Sequence, residues 1–326
     1  MRRPAGQAPD GSTVEQITLS GGGLTAQVLT WGATVQGLWI EGLPQSLLLG
    51  SPRLKAYFHD LLYFGAVVGP VANRISGPGF ALDGRDYRLE ANEKGRVVLH
   101  GGARGTGQRN WRVADLGPDW CHLEIDQPDA LHGFPGPIAI SVRYALEDGA
   151  LRVEVTGRSE RPALFAPAFH GYWNLDGSPD IGGHRLQVSA DTYLPVDPDL
   201  IPWGNPAPVA GTDFDFRAPR AIPRDIDHNL CLSASRQPLR PVARLEAGAM
   251  AMTVETTEPG LQVYACGGTT SGDWPGHQGA PFGTWAGVAL EPQVWPDAAN
   301  RPDFPSPRIE PGTPVVQVSR FVLDRR

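Results

Sequence analysis

The chain has 326 residues, enough for one large or two ordinary domains. With 41 % hydrophobic and 19 % charged residues it can bury a sizeable core, so wholesale disorder is excluded. Forty glycines and 32 prolines disfavour a helical bundle and suit short strands joined by many turns. The formal charge of −7, with no basic stripe interleaved with aromatics, argues against a nucleic-acid partner.

Only Lys55 and Lys94 are available for imine chemistry. Cys121, Cys231 and Cys266 are odd in number, widely spaced and free of any C-x-x-C, which reads as buried free thiols in a reducing compartment. No apolar run approaches the roughly 20 residues of a membrane span. After Arg2-Arg3, the stretch Asp10-Gly11-Ser12-Thr13 stands where a secretory signal needs an apolar segment. A soluble, cytoplasmic protein with no membrane association is expected.

Period-two alternation recurs along the chain. Gly21-Gly22-Gly23 is read as a turn, because no helix signal follows it. Leu24, Ala26 and Val28 then alternate, until Trp31-Gly32-Ala33 interrupts. A short helix is expected after Ser51-Pro52, where Leu54, Tyr57, Phe58, Leu61 and Leu62 fall at helical spacing. Phe80 and Leu82, the turn Asp83-Gly84, then Tyr87 and Leu89 predict a hairpin. A longer hairpin follows: Ile138, Ile140, Val142, Tyr144 and Leu146 share a face, Asp148-Gly149 turns, and Leu151, Val153 and Val155 return. The proline-rich stretch from Pro195 to Pro223 carries Trp203, Phe214 and Phe216, which suits an ordered long loop rather than a tether. Pro314 precedes the β-rich run Val315 to Leu323. With no repeat and no linker, the economical architecture is all-β: one large antiparallel β-sandwich domain over residues 1–326, with few short helices.

Several residues stand in settings that suit chemistry. His100, in Val98-Leu99-His100-Gly101-Gly102, ends an apolar strand before two glycines, where backbone and imidazole can approach a ligand; a turn histidine satisfied by backbone fits equally. His170, in Ala168-Phe169-His170-Gly171-Tyr172-Trp173-Asn174, precedes two aromatics and an amide, the kit of a sugar pocket; alone it suits a core histidine. Glu291, in Leu290-Glu291-Pro292-Gln293, is a carboxylate on an apolar strand, either salt-bridged or held as a base. Arg74 is a cation in an apolar context. Asp227-His228-Asn229 hints at a metal but lacks a ligand set, and reads more simply as a polar turn between strands. The nucleophile-elbow, phosphate-loop and H-E-x-x-H motifs are absent.

Taken in order, these segments resemble the aldose 1-epimerase (galactose mutarotase) family. The matching stretches are Tyr63–Gly69, Ala72-Asn73-Arg74-Ile75, Leu99–Gly102, His170–Leu175, Ala190–Asp197, Asp227–Asn229, Pro259–Gln262, Leu290–Gln293, Trp295–Asn300 and Pro302–Pro305. The resemblance implies a large antiparallel β-sandwich with no cofactor and no metal, acting on a small monosaccharide as a monomer or homodimer. It implies Glu291 as general base and His170 as general acid. Arg74 and His100 would grip the sugar near its anomeric end and ring oxygen. Asp227 and Gln262 would be further sugar ligands, Asn73 belongs to the contact motif, and Tyr172 and Trp173 form an aromatic pair after the acid.

The implied reaction interconverts α and β anomers. Ionised Glu291 takes the C1 hydroxyl proton, protonated His170 gives one to the ring oxygen, and the open aldehyde turns about C1–C2 before reclosing. The chain departs from the family pattern at Pro70, Phe169, Trp173 and the segment Ala103–Gln108, which is expected to alter the pocket rim. Two other readings share the scaffold. One is a non-catalytic sugar-binding module. The other is an epimerase for an anionic sugar such as a hexose phosphate or sulfonated sugar, for which Arg104, Arg109 and Arg301 are the candidate cations.

Overall fold

The computed structural model describes residues 1–325. Three antiparallel sheets carry the architecture. A four-stranded meander, Arg2–Gln7 to Thr34–Ile40, opens the chain. A nine-stranded sheet has the long hairpin Ile138–Glu147 and Ala150–Ser159 near its centre, with the last strand, Val315–Arg325, paired against Ala150–Ser159. A six-stranded sheet runs in the order Tyr172–Trp173, Val288–Gln293, Gly260–Tyr264, Asp227–Cys231, Thr192–Tyr193 and Ala207–Pro208.

The alternating apolar residues read from the sequence fill the space between these layers. Ile17, Val28, Val142, Val153, Leu261, Leu290 and Phe321 are all buried in one core cluster, which makes the fold a β-sandwich. Both predicted hairpins form around two-residue turns. Asp148 and Gly149 take φ of 50° and 71°, the left-handed pair that matches strand twist in such turns.

Two expectations need correction. The helix after Pro52 is only a single 3₁₀ segment, Leu54–Phe58, with no side-chain cap; it stops at His59, whose φ of −135° and ψ of −106° leave the helical region. Asp227-His228-Asn229 is no turn: it opens the strand Asp227–Cys231 inside the six-stranded sheet. The stretch 195–223 is ordered, with Phe216 buried and Trp203 exposed. The three cysteines are buried and free. Among the described residues no helix is long and apolar enough to cross a membrane.

Candidate active site

The six-stranded sheet sorts its side chains by strand parity. Glu291 lies opposite Gln262, which lies opposite Asn229, while Tyr264 lies opposite both Ala289 and Asp227, and Tyr172 opposite Ala289. Directly paired residues share a face, and alternate residues on a strand do too. One face therefore carries Tyr172, Glu291, Gln262, Tyr264, Asp227 and Asn229. The other carries Trp173, Val288, Leu290, Val263, Leu261 and Leu230, all in the core.

Core packing corrects two sequence expectations. Trp173 is fully buried, packs on Phe321 at 4.8 Å between ring centroids, and does not face the cavity. Phe169 packs on Phe321 and Tyr144 in the same core, so its departure from the family pattern does not alter the rim.

Asn73, Arg74, His100, His170, Tyr172, Asp227 and Glu291 converge on one cavity of about 560 Å³, within the size range of small-ligand sites. His170 Nε2 stands 3.5 Å from Glu291 Oε1, with both side chains almost wholly buried. Neither Glu291 Oε2 nor His170 Nδ1 has a hydrogen-bond partner in the protein. The imidazole lies near parallel to the rings of Tyr172 at 4.8 Å and Tyr63 at 6.2 Å, while His100 meets it edge-on at 5.1 Å. Burial pushes His170 down to about 3. Burial, with the nearby Asp227 charge, holds Glu291 well above the usual carboxylate range, against the pull of Arg74. Burial thus works against the charged form of both members of the pair.

His100 is a turn histidine bonded to backbone, and it also lines the cavity. Its Nδ1 accepts the Asn73 backbone N–H at 3.1 Å, so the other nitrogen, Nε2, carries the proton and is left for the cavity. The turn that places it needs glycine next: Gly101 has φ of 81°, and a Cβ there would come within 1.9 Å of the Gly69 carbonyl oxygen. Burial, then the charges of His170 and Arg74, hold His100 well below the ordinary histidine value.

Arg74 is clasped by Glu93, with Nε to Oε2 at 2.7 Å and Nη2 to Oε1 at 2.9 Å, and its Nη1 lies 3.8 Å from Asp227 Oδ2. Gln262 does not line the cavity. Its Nε2 donates to Asp227 Oδ1 at 2.5 Å, so it holds Asp227 from behind.

The sequence reading missed other lining residues. Tyr264 was legible, two positions from Gln262 on the same strand face. Tyr63, Leu200, Arg224 and Trp285 come from loops, where no periodicity marks them. Of the cations expected at the rim, Arg104, Arg109 and Arg301 do not line the cavity; Arg109 turns to Asp126 and Gln127, and Arg301 to Asp303. Arg224 is there instead, stacked over Trp285 at 4.5 Å and paired with Asp180. Among the described residues no cluster of three or more His, Cys, Asp or Glu is arranged to hold a metal.

Comparison with known proteins agrees with this architecture. The chain is 37 % identical over 325 residues to the galactose mutarotase of Homo sapiens, covering 94 % of this chain and 93 % of that one. It is 32 % identical over 321 residues to the aldose 1-epimerase of Escherichia coli (strain K12), covering 92 % of each. Among solved structures, an aldose epimerase homologue from C. elegans superposes with a TM-score of 0.88 at 28 % identity, covering 95 % of this chain and 98 % of that one. The profile of the family described as aldose 1-epimerase matches residues 15–321. With a match of that length, and a β-sandwich that superposes on a solved homologue, the chain belongs to the aldose 1-epimerase family.

Proposed function

We propose that the protein interconverts the α and β anomers of a free, neutral aldose, with Glu291 and His170 as the acid–base pair. The observation that carries this reading is the 3.5 Å approach of His170 Nε2 to Glu291 Oε1 in a single sugar-sized cavity. Ring opening needs one proton taken from the C1 hydroxyl and one given to the ring oxygen as the C1–O5 bond breaks. Reclosure on the other face of the carbonyl returns both, so no proton is consumed. The carboxyl-plus-imidazole pair and the carboxylate-plus-imidazolium pair hold the same proton count. Transfer of that one proton from Glu291 to His170 arms the site. Sugar hydroxyls donating to the carboxylate, with Arg74 close by, favour the armed form. Arg74 and the His100 Nε2–H then meet charge that develops on oxygen during opening.

A neutral sugar is favoured over an anionic one by local charge. Asp225 and Asp227 line the cavity, while Arg74 is already paired with Glu93 and Arg224 with Asp180. The relatives named galactose mutarotase make galactose the first sugar to test. The core shared by all three large sheets supports reading the chain as one domain, and three buried free thiols suit the cytoplasm.

The test is anomer exchange by NMR or polarimetry on a panel of freshly dissolved neutral and anionic sugars. Glu291→Gln and His170→Asn are each expected to slow exchange by at least about 10²-fold, the low end for a lost acid or base. Rates near wild type in both would remove the assignment. A preference for anionic sugars would replace the substrate class, and sugar binding without exchange would leave a non-catalytic module.

A further inference from the structure

The loop ahead of His100 does more than connect strands. Asn92 clamps it from within, its Oδ1 accepting the Leu99 N–H at 2.8 Å and its Nδ2 donating to the Leu99 carbonyl at 3.0 Å. Glu93 and Val97 form a bridge across a turn in which Lys94 and Gly95 take φ of 50° and 68°. On the outside, Lys94 and Arg96 both bind Asp199, the arginine through two hydrogen bonds of 2.8 Å. Asp199 precedes Leu200, a cavity-lining residue with φ of 60°. Glu93 is thus presented by a loop fixed on two sides, and its side chain is about four-fifths buried.

What Glu93 does with that position follows from donor geometry. A guanidinium has a planar fork of five N–H groups, and a bidentate carboxylate fixes its plane. Glu93 occupies the Nε–Nη2 edge of Arg74. That leaves Nη1 on the side of Asp227 and the cavity. Without Glu93, the nearest acidic partner of Arg74 is Asp227, and a guanidinium turned onto Asp227 withdraws two sugar-contact groups together.

We propose that Glu93 is a positioning residue for sugar binding: by engaging the Nε–Nη2 edge of Arg74 it aims Nη1 at the substrate and keeps Arg74 from collapsing onto Asp227. This rests on the mutarotase reading above, in which Arg74 contacts the sugar. Glu93 itself touches no reacting atom.

The experiment is a double-mutant cycle on the full chain, read by anomer exchange with galactose and by NMR of the arginine Nε–H signals, with Arg74→Lys identifying the Arg74 resonance. Glu93→Gln is expected to raise KM by about tenfold, the size of a lost charged hydrogen bond, and to change kcat by less than about threefold. Glu93→Asp should recover part of the loss. In the cycle, adding Glu93→Gln to Arg74→Lys should cost almost nothing further, because the glutamate acts only through the arginine. In the NMR arm the Arg74 Nε–H should shift and lose exchange protection in Glu93→Gln. Additive losses, a fall in kcat alone, or an Arg74 signal that Glu93→Gln leaves in place would each overturn the proposal. Should the wild-type chain show no exchange with any sugar, the mutarotase reading fails instead, and the NMR arm still decides whether Glu93 orients Arg74.

Discussion

The backbone N–H of Asn73 donates to His100 Nδ1 at 3.1 Å, and this single bond settles which imidazole nitrogen is left for the cavity. Asn73 achieves this in a left-handed conformation, φ 58°, and its own Oδ1 accepts the Arg74 N–H at 2.8 Å. One tight turn thus orients both His100 and Arg74. Asparagine tolerates that backbone conformation better than most residues with a side chain.

His100 should act as a neutral donor. Burial and neighbouring positive charge hold it well below the ordinary histidine value, so it does not titrate near neutrality. His100→Ala is expected to lower kcat/KM about 10- to 100-fold, as for a lost donor to a developing charge, with the shape of the pH profile unchanged. A new limb near pH 6.5 in the wild type that vanishes in His100→Ala would contradict this.

The pH dependence of kcat/KM should be broad. The pair works while it holds one proton. It gains a second only as pH falls toward about 3, where His170 protonates beside a neutral carboxyl. It loses the first above the usual carboxylate range, because burial raises Glu291. The two limbs belong to the pair rather than to either residue. A kcat/KM profile with its acid limb at an ordinary histidine value would show that the imidazole is solvated in the free protein.

Stability should respond to Glu291 with a definite sign. A carboxyl whose folded pKa is raised is neutral in both states below pH 4.5. Above that the unfolded chain ionises while the folded one does not, so the wild type is progressively disfavoured until the folded group also ionises. Relative to Glu291→Gln, the wild type should lose about 1.4 kcal/mol per pH unit in that window. Denaturant melts at pH 4 and pH 7 measure this; a difference between the two proteins that does not grow with pH is the contrary result.

Adjacent aromatics should fail in different ways. Trp173→Ala removes a core side chain packed on Phe321 and is expected to destabilise the fold by about 3–5 kcal/mol, leaving exchange per folded molecule near wild type. Tyr172→Ala removes a ring stacked on His170 and should lower kcat about 3- to 10-fold, the value of such a contact. Equal effects on catalysis from both would mean that strand parity does not separate core from site.

Much of this protein is written in its order of residues. Alternation fixed the hairpin pairs, because the side-chain period of a strand is two whatever the strand packs against. Asp-Gly pairs located turns because few residues accept positive φ. His100, His170 and Glu291 announced themselves as polar groups in apolar stretches, a placement that burial makes costly without a partner. Tertiary structure decided what one-dimensional patterns do not carry. Trp173 and Tyr172 are neighbours in sequence, yet pairing with Val288–Gln293 sends one to the core and the other to the cavity. Gln262 supports Asp227 instead of lining the cavity, and Arg224 rather than Arg104, Arg109 or Arg301 reaches the rim. Glu93 meets Arg74 only because the ladder Arg74↔Leu99 folds its loop back over the site. Local patterns report which way a side chain points relative to its own strand; which wall that direction meets is set by contacts between residues far apart in the chain, and those exist only in the folded state.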